Sequence, residues 1–158
     1  EEEDTAGSLH DKLALKGGDL ICKTINRIFE GTILPQKQKW KGIENLAPKL
    51  NKENIFIDWS QPIEAVLAKI KGLCPYPGAK SNWIDGDQSY IVKIFEGEII
   101  KEKHNFHPKK VMIRDKNILI THPSGYIKCK IIQFPNKKRM NAMDILNGNT
   151  FSDEVRVS

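Results

Sequence analysis

From Lys80 onward the apolar residues of this chain recur at every second position, in short runs. That period belongs to strands with one buried and one wet face, and it constrains the fold more than any other feature. Lys80–Ile84 and Gln88–Ile100 are separated by Asp85-Gly86-Asp87, a strong hairpin signal. Lys110–Ile113 and Asn117–Thr121 flank Asp115-Lys116 and predict a second hairpin. Tyr126–Phe134 is the clearest strand. There Ile127, Cys129 and Ile131 alternate with Lys128 and Lys130, giving one buried and one basic face. Pro123, Ser124 and Gly125 supply the turn before it. Five or six short strands at this spacing predict a mainly β fold, a small barrel or sandwich rather than an open α/β sheet.

Upstream the period is helical. Residues 8–30 read as two helices, with Ser8 and Asp11 as a capping box at the start and Gly17-Gly18 as the interruption. Leu9 and Leu13, then Leu20, Ile21, Ile25, Ile28 and Phe29, give each helix one apolar face; Gly31 ends the second. Two such helices cannot make a core alone and need a partner surface. Residues 35–54 read as a linker broken by Pro35, Gly42 and Pro48, with Asn54–Trp59 extended. A further helix is predicted from a Ser60 cap, carrying Ile63, Val66, Leu67 and Ile70 on one stripe and ending at Gly72. A short helix over Asn141–Leu146, capped by Asn141 with Met140 and Ile145 as a staple, is the last element. The tail after it reads as loose.

Charge is distributed unevenly over the 158 residues. Residues 1–34 hold seven acidic and four basic side chains, whereas 35–158 hold 13 acidic and 21 basic. Within the second part, residues 101–139 carry 11 basic and two acidic residues. Lys37, Lys39 and Lys41 cluster around Trp40. Concentrated positive charge attracts a polyanion by Coulomb steering and counterion release. A solvated lysine surface accounts for the same composition, and the two readings stand even. Asn136-Lys137-Lys138-Arg139 is a dense cationic loop between a strand and a helix, suited to phosphate or simply to water. Trp40 among lysines suits stacking on a base, or packing of a linker tryptophan against the domain.

No catalytic constellation is visible. His104 and His107 form an H-x-x-H pair among lysines, where a cation is disfavoured, and read as surface-loop histidines. Asp85 and Asp87 flank a turn glycine, and Asp58 reads as a strand-end or capping group. No glycine-rich phosphate loop or G-x-S-x-G elbow occurs. Cys22, Cys74 and Cys129 are far apart and odd in number, which reads as reduced thiols in a cytosolic protein rather than zinc ligands or disulfides. No apolar run approaches the roughly 20 residues of a membrane span. The chain opens on Glu1, Glu2, Glu3 and Asp4 without an initiator Met, as a chain beginning inside a longer protein would.

Four strings, in order, carry a resemblance. Ala47-Pro48-Lys49-Leu50, Lys52-Glu53 and Ile57-Asp58-Trp59-Ser60 come first. Leu73-Cys74-Pro75-Tyr76-Pro77-Gly78 follows, then Pro135-Asn136-Lys137-Lys138-Arg139-Met140. Upstream lie Asp4-Thr5-Ala6-Gly7-Ser8-Leu9, Asp11-Lys12-Leu13-Ala14 and Glu30-Gly31-Thr32. The chain thereby resembles the methionyl-tRNA formyltransferase family over nearly its whole length. It departs where Cys74 and Tyr76 replace the family's usual Asn and Trp.

The resemblance implies a small OB-like β-barrel with flanking helices, preceded by a helical remnant of an α/β Rossmann-like formyltransferase domain. Residues 1–34 would be the end of that N-terminal domain, 35–54 a linker, and 55–158 a C-terminal tRNA-binding domain. The implied reaction moves a formyl group from 10-formyltetrahydrofolate to the amino group of initiator Met-tRNA. The catalytic residues would all lie upstream, so this chain would hold none of them, bind no cofactor or metal and be inactive alone. His122-Pro123-Ser124 repeats a string of the family's catalytic region, but it sits in a strand-to-strand turn and no catalysis is carried to it. The implied tRNA contacts are Lys37, Lys39, Trp40, Lys41, Lys128, Lys130, Lys137, Lys138 and Arg139. The expected partners are initiator Met-tRNA and the N-terminal catalytic domain, in a cytoplasmic monomer away from membranes. Two other classes remain open: a folate-dependent formyltransferase or hydrolase with another substrate, and a stand-alone RNA-binding module.

Overall fold

Each predicted hairpin forms, and each closes where the turn residues demand it. In the computed structural model, which describes residues 1–39, 42, 46–148 and 151–158, strands β1 (Ala79–Asp85) and β2 (Gln88–Ile100) are joined by Gly86 and Asp87. Gly86 takes φ +58°, which a side-chain-bearing residue adopts only with strain. Strands β3 (Val111–Arg114) and β4 (Asn117–His122) are joined by Asp115 and Lys116, both at positive φ, a pattern that matches the right-handed twist of a hairpin. Strand β5 (Gly125–Gln133) follows a two-residue turn. At Gly125 (φ +138°) a Cβ would lie 2.2 Å from the Ile100 carbonyl oxygen, so only glycine fits.

The sheet runs β3-β4-β5-β2-β1 and ends on β7 (Arg156–Val157), all neighbours antiparallel, with β6 (Met140–Asn141) beside β5. Strand β7 (Arg156–Val157) lies in the tail predicted to be loose. It pairs with β1 on one side. On the other side the Val111 N–H donates to the Val155 carbonyl and the Val157 N–H to the Lys109 carbonyl, both at 2.8 Å. The tail thus bridges the two edges into a nearly closed barrel. Val155 and Val157 are buried, which is the physical reason the tail is ordered.

The predicted alternation in β5 changes phase. Ile127 and Cys129 are buried as expected, but the next inward residue is Ile132, not Ile131. Two bulges cause the shift: Phe95 is extra on β2 between the Ile94 and Glu96 pairs, and Lys130 is extra on β5 between the Ile131 and Cys129 pairs.

Helix α2 (Ile63–Gly72) packs Ile63, Val66 and Ile70 onto the barrel. Ser60 is not its cap; Pro62 holds that position without a side-chain bond, and Ser60 binds Asp58 instead. Gly72 remains inside the helix, with Leu73 at the C-cap. The extended run before it pairs as expected: Phe56 bridges Lys80, and the Ile57 N–H donates to the Lys80 carbonyl at 2.8 Å. Ile55, Ile57 and Trp59 are buried, and the Trp59 indole N–H donates to Ser81 Oγ at 3.0 Å. Helix α3 (Ala142–Leu146) starts after Asn141, and Met140 and Ile145 both pack on the core.

Residues 6–29 form one helix, α1 (Ala6–Phe29), rather than two. A glycine in a helix costs about 1 kcal/mol, which weakens but does not break it. Leu9, Leu13, Gly17, Ile21 and Ile25 recur at i, i+4, so Gly17 is a gap in the stripe and not in the helix. The cap is Thr5, whose hydroxyl accepts from the Ser8 N–H while Ser8 Oγ accepts from the Thr5 N–H. The end is a Schellman motif: Thr32 N–H to Arg27 O at 2.9 Å and Gly31 N–H to Ile28 O at 3.1 Å, with Gly31 at φ +67°. No residue of α1 is buried. Its first turn touches the barrel through the Gly7 N–H, which donates to the Cys74 carbonyl at 3.0 Å. A Cβ at Gly7 would lie 2.5 Å from Pro75 Cδ.

Candidate nucleic-acid interface

The cationic turn after β5 is split between two grooves. Asn136 takes φ +58° and reverses the chain. The Lys137 N–H donates to the Phe134 carbonyl at 3.1 Å, and Gln133 Nε2 donates to the Lys137 carbonyl at 2.7 Å. The turn is therefore built, and its side chains are left to solvent. Lys137 and Lys138 are exposed and make no ion pair among the described residues. They border a groove of about 480 Å³ walled by Tyr90, Phe134 and Phe151. Those rings stack in series, Tyr90 to Phe134 and Phe134 to Phe151 each at 5.7 Å between centroids. Arg139 turns the other way. Its guanidinium lies 3.7 Å from the Phe95 ring centroid and donates to the Pro75 carbonyl. It lines a larger groove, about 1060 Å³, between α2, β2 and the start of α1.

The other predicted contacts are not gathered at one place. Lys130 lines the larger groove and is held by Glu98 at 3.1 Å and Glu96 at 3.7 Å. Its bond to Glu98, aided by Glu96, raises the Lys130 pKa above the ordinary lysine value. Lys128 lies across from Glu98 in the register and makes no ion pair among the described residues. Lys37 and Lys39 are exposed in irregular chain after α1. Trp40 and Lys41 lie outside the described residues. Within the basic run 101–139, Lys101 and Arg114 are also paired, with Glu64 and Glu102.

Two lysines not singled out in the sequence join the surface. Lys80 on β1 and Lys93 on β2 are direct cross-strand partners. The signal was present: counting back from the Gly86-Asp87 turn puts Lys80 opposite Lys93.

The side chains with catalytic potential are committed to structure. His122 is buried; its Nε2–H donates to the Gln61 carbonyl at 3.0 Å and its Nδ1 accepts from the Ser124 N–H at 3.1 Å. It pins the β4–β5 turn to the approach to α2. His104 is half-buried rather than a surface-loop residue. Its Nε2–H is shared by the His122 and Gly125 carbonyls at 2.9 Å, and its ring packs on Tyr126 at 4.4 Å. Asp58 accepts from the Ser60 hydroxyl, the Gln61 amide and the Ser60 N–H, which together hold its pKa down to about 2. Burial pushes the Cys129 thiol up to about 12, keeping it protonated and unreactive. Among the described residues no group of three or more His, Cys, Asp or Glu is placed to hold a metal ion. No helix is long and apolar enough to cross a membrane among the described residues.

The described residues thus form a mainly β, nearly closed barrel with a helix packed on it and an exposed lysine turn at its side. The family model for the formyl transferase C-terminal domain matches residues 49–150, and the chain belongs to that family. Over nearly its full length it is similar to proteins named methionyl-tRNA formyltransferase. The one from Flavobacterium johnsoniae is 36% identical over 157 residues, covering 99% of this chain and 50% of that protein. The one from Clostridium tetani is 37% identical over 150 residues, covering 94% and 47%. The chain spans about half the length of the curated relatives it matches. Among solved structures it is similar to HypX from Aquifex aeolicus, at TM-score 0.58 and 20% identity over 82% of this chain and 23% of that one. A second HypX structure, in complex with tetrahydrofolic acid, gives TM-score 0.57 at 20% identity over 81% and 22%. At that identity the likeness is one of fold.

Proposed function

We propose that this chain is the tRNA-binding part of a methionyl-tRNA formyltransferase, which transfers a formyl group from 10-formyltetrahydrofolate to the amino group of initiator Met-tRNA. In this reading residues 1–34 end the catalytic domain, 35–54 are the linker and 55–158 form the tRNA-binding domain. The observation that carries it is the Lys137-Lys138 turn, rigidly built and free of ion pairs among the described residues, on a barrel whose relatives bear that name. Two exposed ammonium groups carried on a built turn bind phosphates as point charges and fix register without reading bases. Lys37, Lys39, Lys41 and Trp40 are the linker's contribution, and Lys128 extends the cationic face. Lys130 and Arg139 reach tRNA while anchored on Glu98 and Phe95, which sets their direction.

His122 has both ring nitrogens engaged, and the Asp58 oxygens accept bonds from Ser60 and Gln61. In this reading catalysis and the folate co-substrate belong to an upstream domain, which the half-length match to the relatives supports, and this piece alone is inactive. The enzyme works as a cytoplasmic monomer.

Filter binding of a tRNA transcript over a salt series tests the reading. Lys137→Ala with Lys138→Ala weakens binding evenly across tRNA sequences and lowers the salt slope by about one to two units. An unchanged slope would remove the turn from the interface.

A further inference from the structure

We propose that the outer face of the β1–β2 hairpin is a second phosphate-binding track, continuous with the Lys137-Lys138 turn and occupied by the RNA backbone. The inference rests on the tRNA reading above and names residues that the reading does not include.

Lys80 and Lys93 stand directly opposite each other on paired strands. Like charges at that position repel, and an ordinary surface sheet separates them or places a carboxylate beside them. Neither lysine makes an ion pair among the described residues. The Lys80 ammonium is over the Phe56 ring, 5.7 Å from its centroid, a contact that keeps the charge. Both side chains border a shallow groove of about 680 Å³, and none of its seven lining residues is acidic. At the tip of the hairpin Asp85 is bonded to the Ser152 hydroxyl and Asp87 sits in the turn, and further along β2 Glu96 and Glu98 are paired with Lys130.

The groove has the other parts an RNA backbone needs. Asn82 and Ser89 line it: Ser89 Oγ donates to Asn82 Oδ1 at 2.8 Å and Asn82 Nδ2 donates to Ser158 Oγ at 3.0 Å, which leaves the second Asn82 amide hydrogen for a phosphate or 2′-hydroxyl oxygen. Ile91, 42% exposed, and Tyr90 present apolar surface for the sugars. Tyr90 and Pro135 line this groove and also the one beside Lys137 and Lys138, so the two are adjacent. The register connects them as well: Lys93 pairs with Gln133, whose side chain holds the Lys137 carbonyl. The repulsion between Lys80 and Lys93 is relieved when a phosphate lies between them.

The test compares the 158-residue chain with its Lys80→Gln, Lys93→Gln variant and with a Lys103→Gln, Lys116→Gln control, which removes equal charge from exposed sites away from the groove. Binding of an initiator tRNA transcript is measured over a salt series, and thermal unfolding is measured without RNA. The groove variant binds roughly 10- to 40-fold more weakly at about 0.1 M salt, with a slope lower by about 1.5 units. Its Tm stays level or rises by about 1–3 °C as the repulsion is removed. The control moves affinity by less than about threefold. Equal loss in groove variant and control, or a fall in Tm that accounts for the loss of binding, overturns the track. So does unchanged tRNA affinity with lost affinity for anionic phospholipid vesicles, which would assign the face to a membrane. If the unmodified chain shows no salt-dependent tRNA binding, the tRNA reading itself falls. If Lys137→Ala, Lys138→Ala weakens binding and the groove variant does not, only the track falls.

Discussion

The Asp58 carboxylate gathers the Ser60 hydroxyl, the Gln61 amide and the Ser60 N–H, and so fixes the chain just before α2. Its depressed pKa means the folded state prefers the ionised form. The stability this contributes is fully present above the unfolded carboxylate pKa, roughly 4, and is lost as pH falls toward about 2. Asp58→Asn mimics the protonated group. Its Tm should therefore lie below the unmodified chain's at pH 7, and the gap should shrink steadily between about pH 4 and pH 2. A gap independent of pH would mean that packing, not charge, accounts for the effect. The role was half legible. A capping Asp beside Ser60 is visible in the sequence, but neither caps α2, because Pro62 takes the N-cap position and leaves the two bonded to each other ahead of it.

At the scale of elements, closure of the barrel depends on residues 155–158. Val155 and Val157 are buried, and their own backbone groups bond to Val111 and Lys109 while β7 pairs with β1. Removing these four residues should cost about 3–5 kcal/mol, from two buried valines and the lost hydrogen bonds. Urea unfolding of the truncated chain measures this, and a cost under about 1 kcal/mol would show that the barrel closes without them. The hairpins were legible because Gly86 and the Asp115-Lys116 pair are local signals for local turns. The tail strand was not, because Arg156 and Val157 carry no turn or periodicity and are ordered by partners some 45 to 75 residues away. Lys80 and Lys93 illustrate an intermediate case. Their pairing follows by counting from a turn, but its meaning emerges only once the facing groove is seen to lack acid.

For the whole molecule, α1 is the feature without an internal explanation. It is capped at both ends, yet Leu13, Leu20, Ile21 and Ile28 are each about 60% exposed. An amphipathic helix of this kind is normally stabilised by packing of its apolar stripe. Substituting Leu13, Ile21 and Ile25 by Gln should leave urea unfolding of the chain unchanged to within about 0.5 kcal/mol. The same changes should weaken its association with a formyltransferase catalytic domain at least about tenfold in calorimetric titration. Equal affinity would show that the stripe does not face that domain. The paired bulges have a consequence of a different kind. Residues Phe95 and Lys130 are extra on opposite strands, so the register after them returns to what it was before. Deleting either residue alone would slide the far half of β2 past β5 by one position, carrying Gly97 away from Cys129 and breaking every pair out to Ile100 and Tyr126. Deleting both would keep the pairing and lose the change of facing. At this point the β2–β5 ladder therefore keeps its pairing through a loss only when two residues more than thirty codons apart go together.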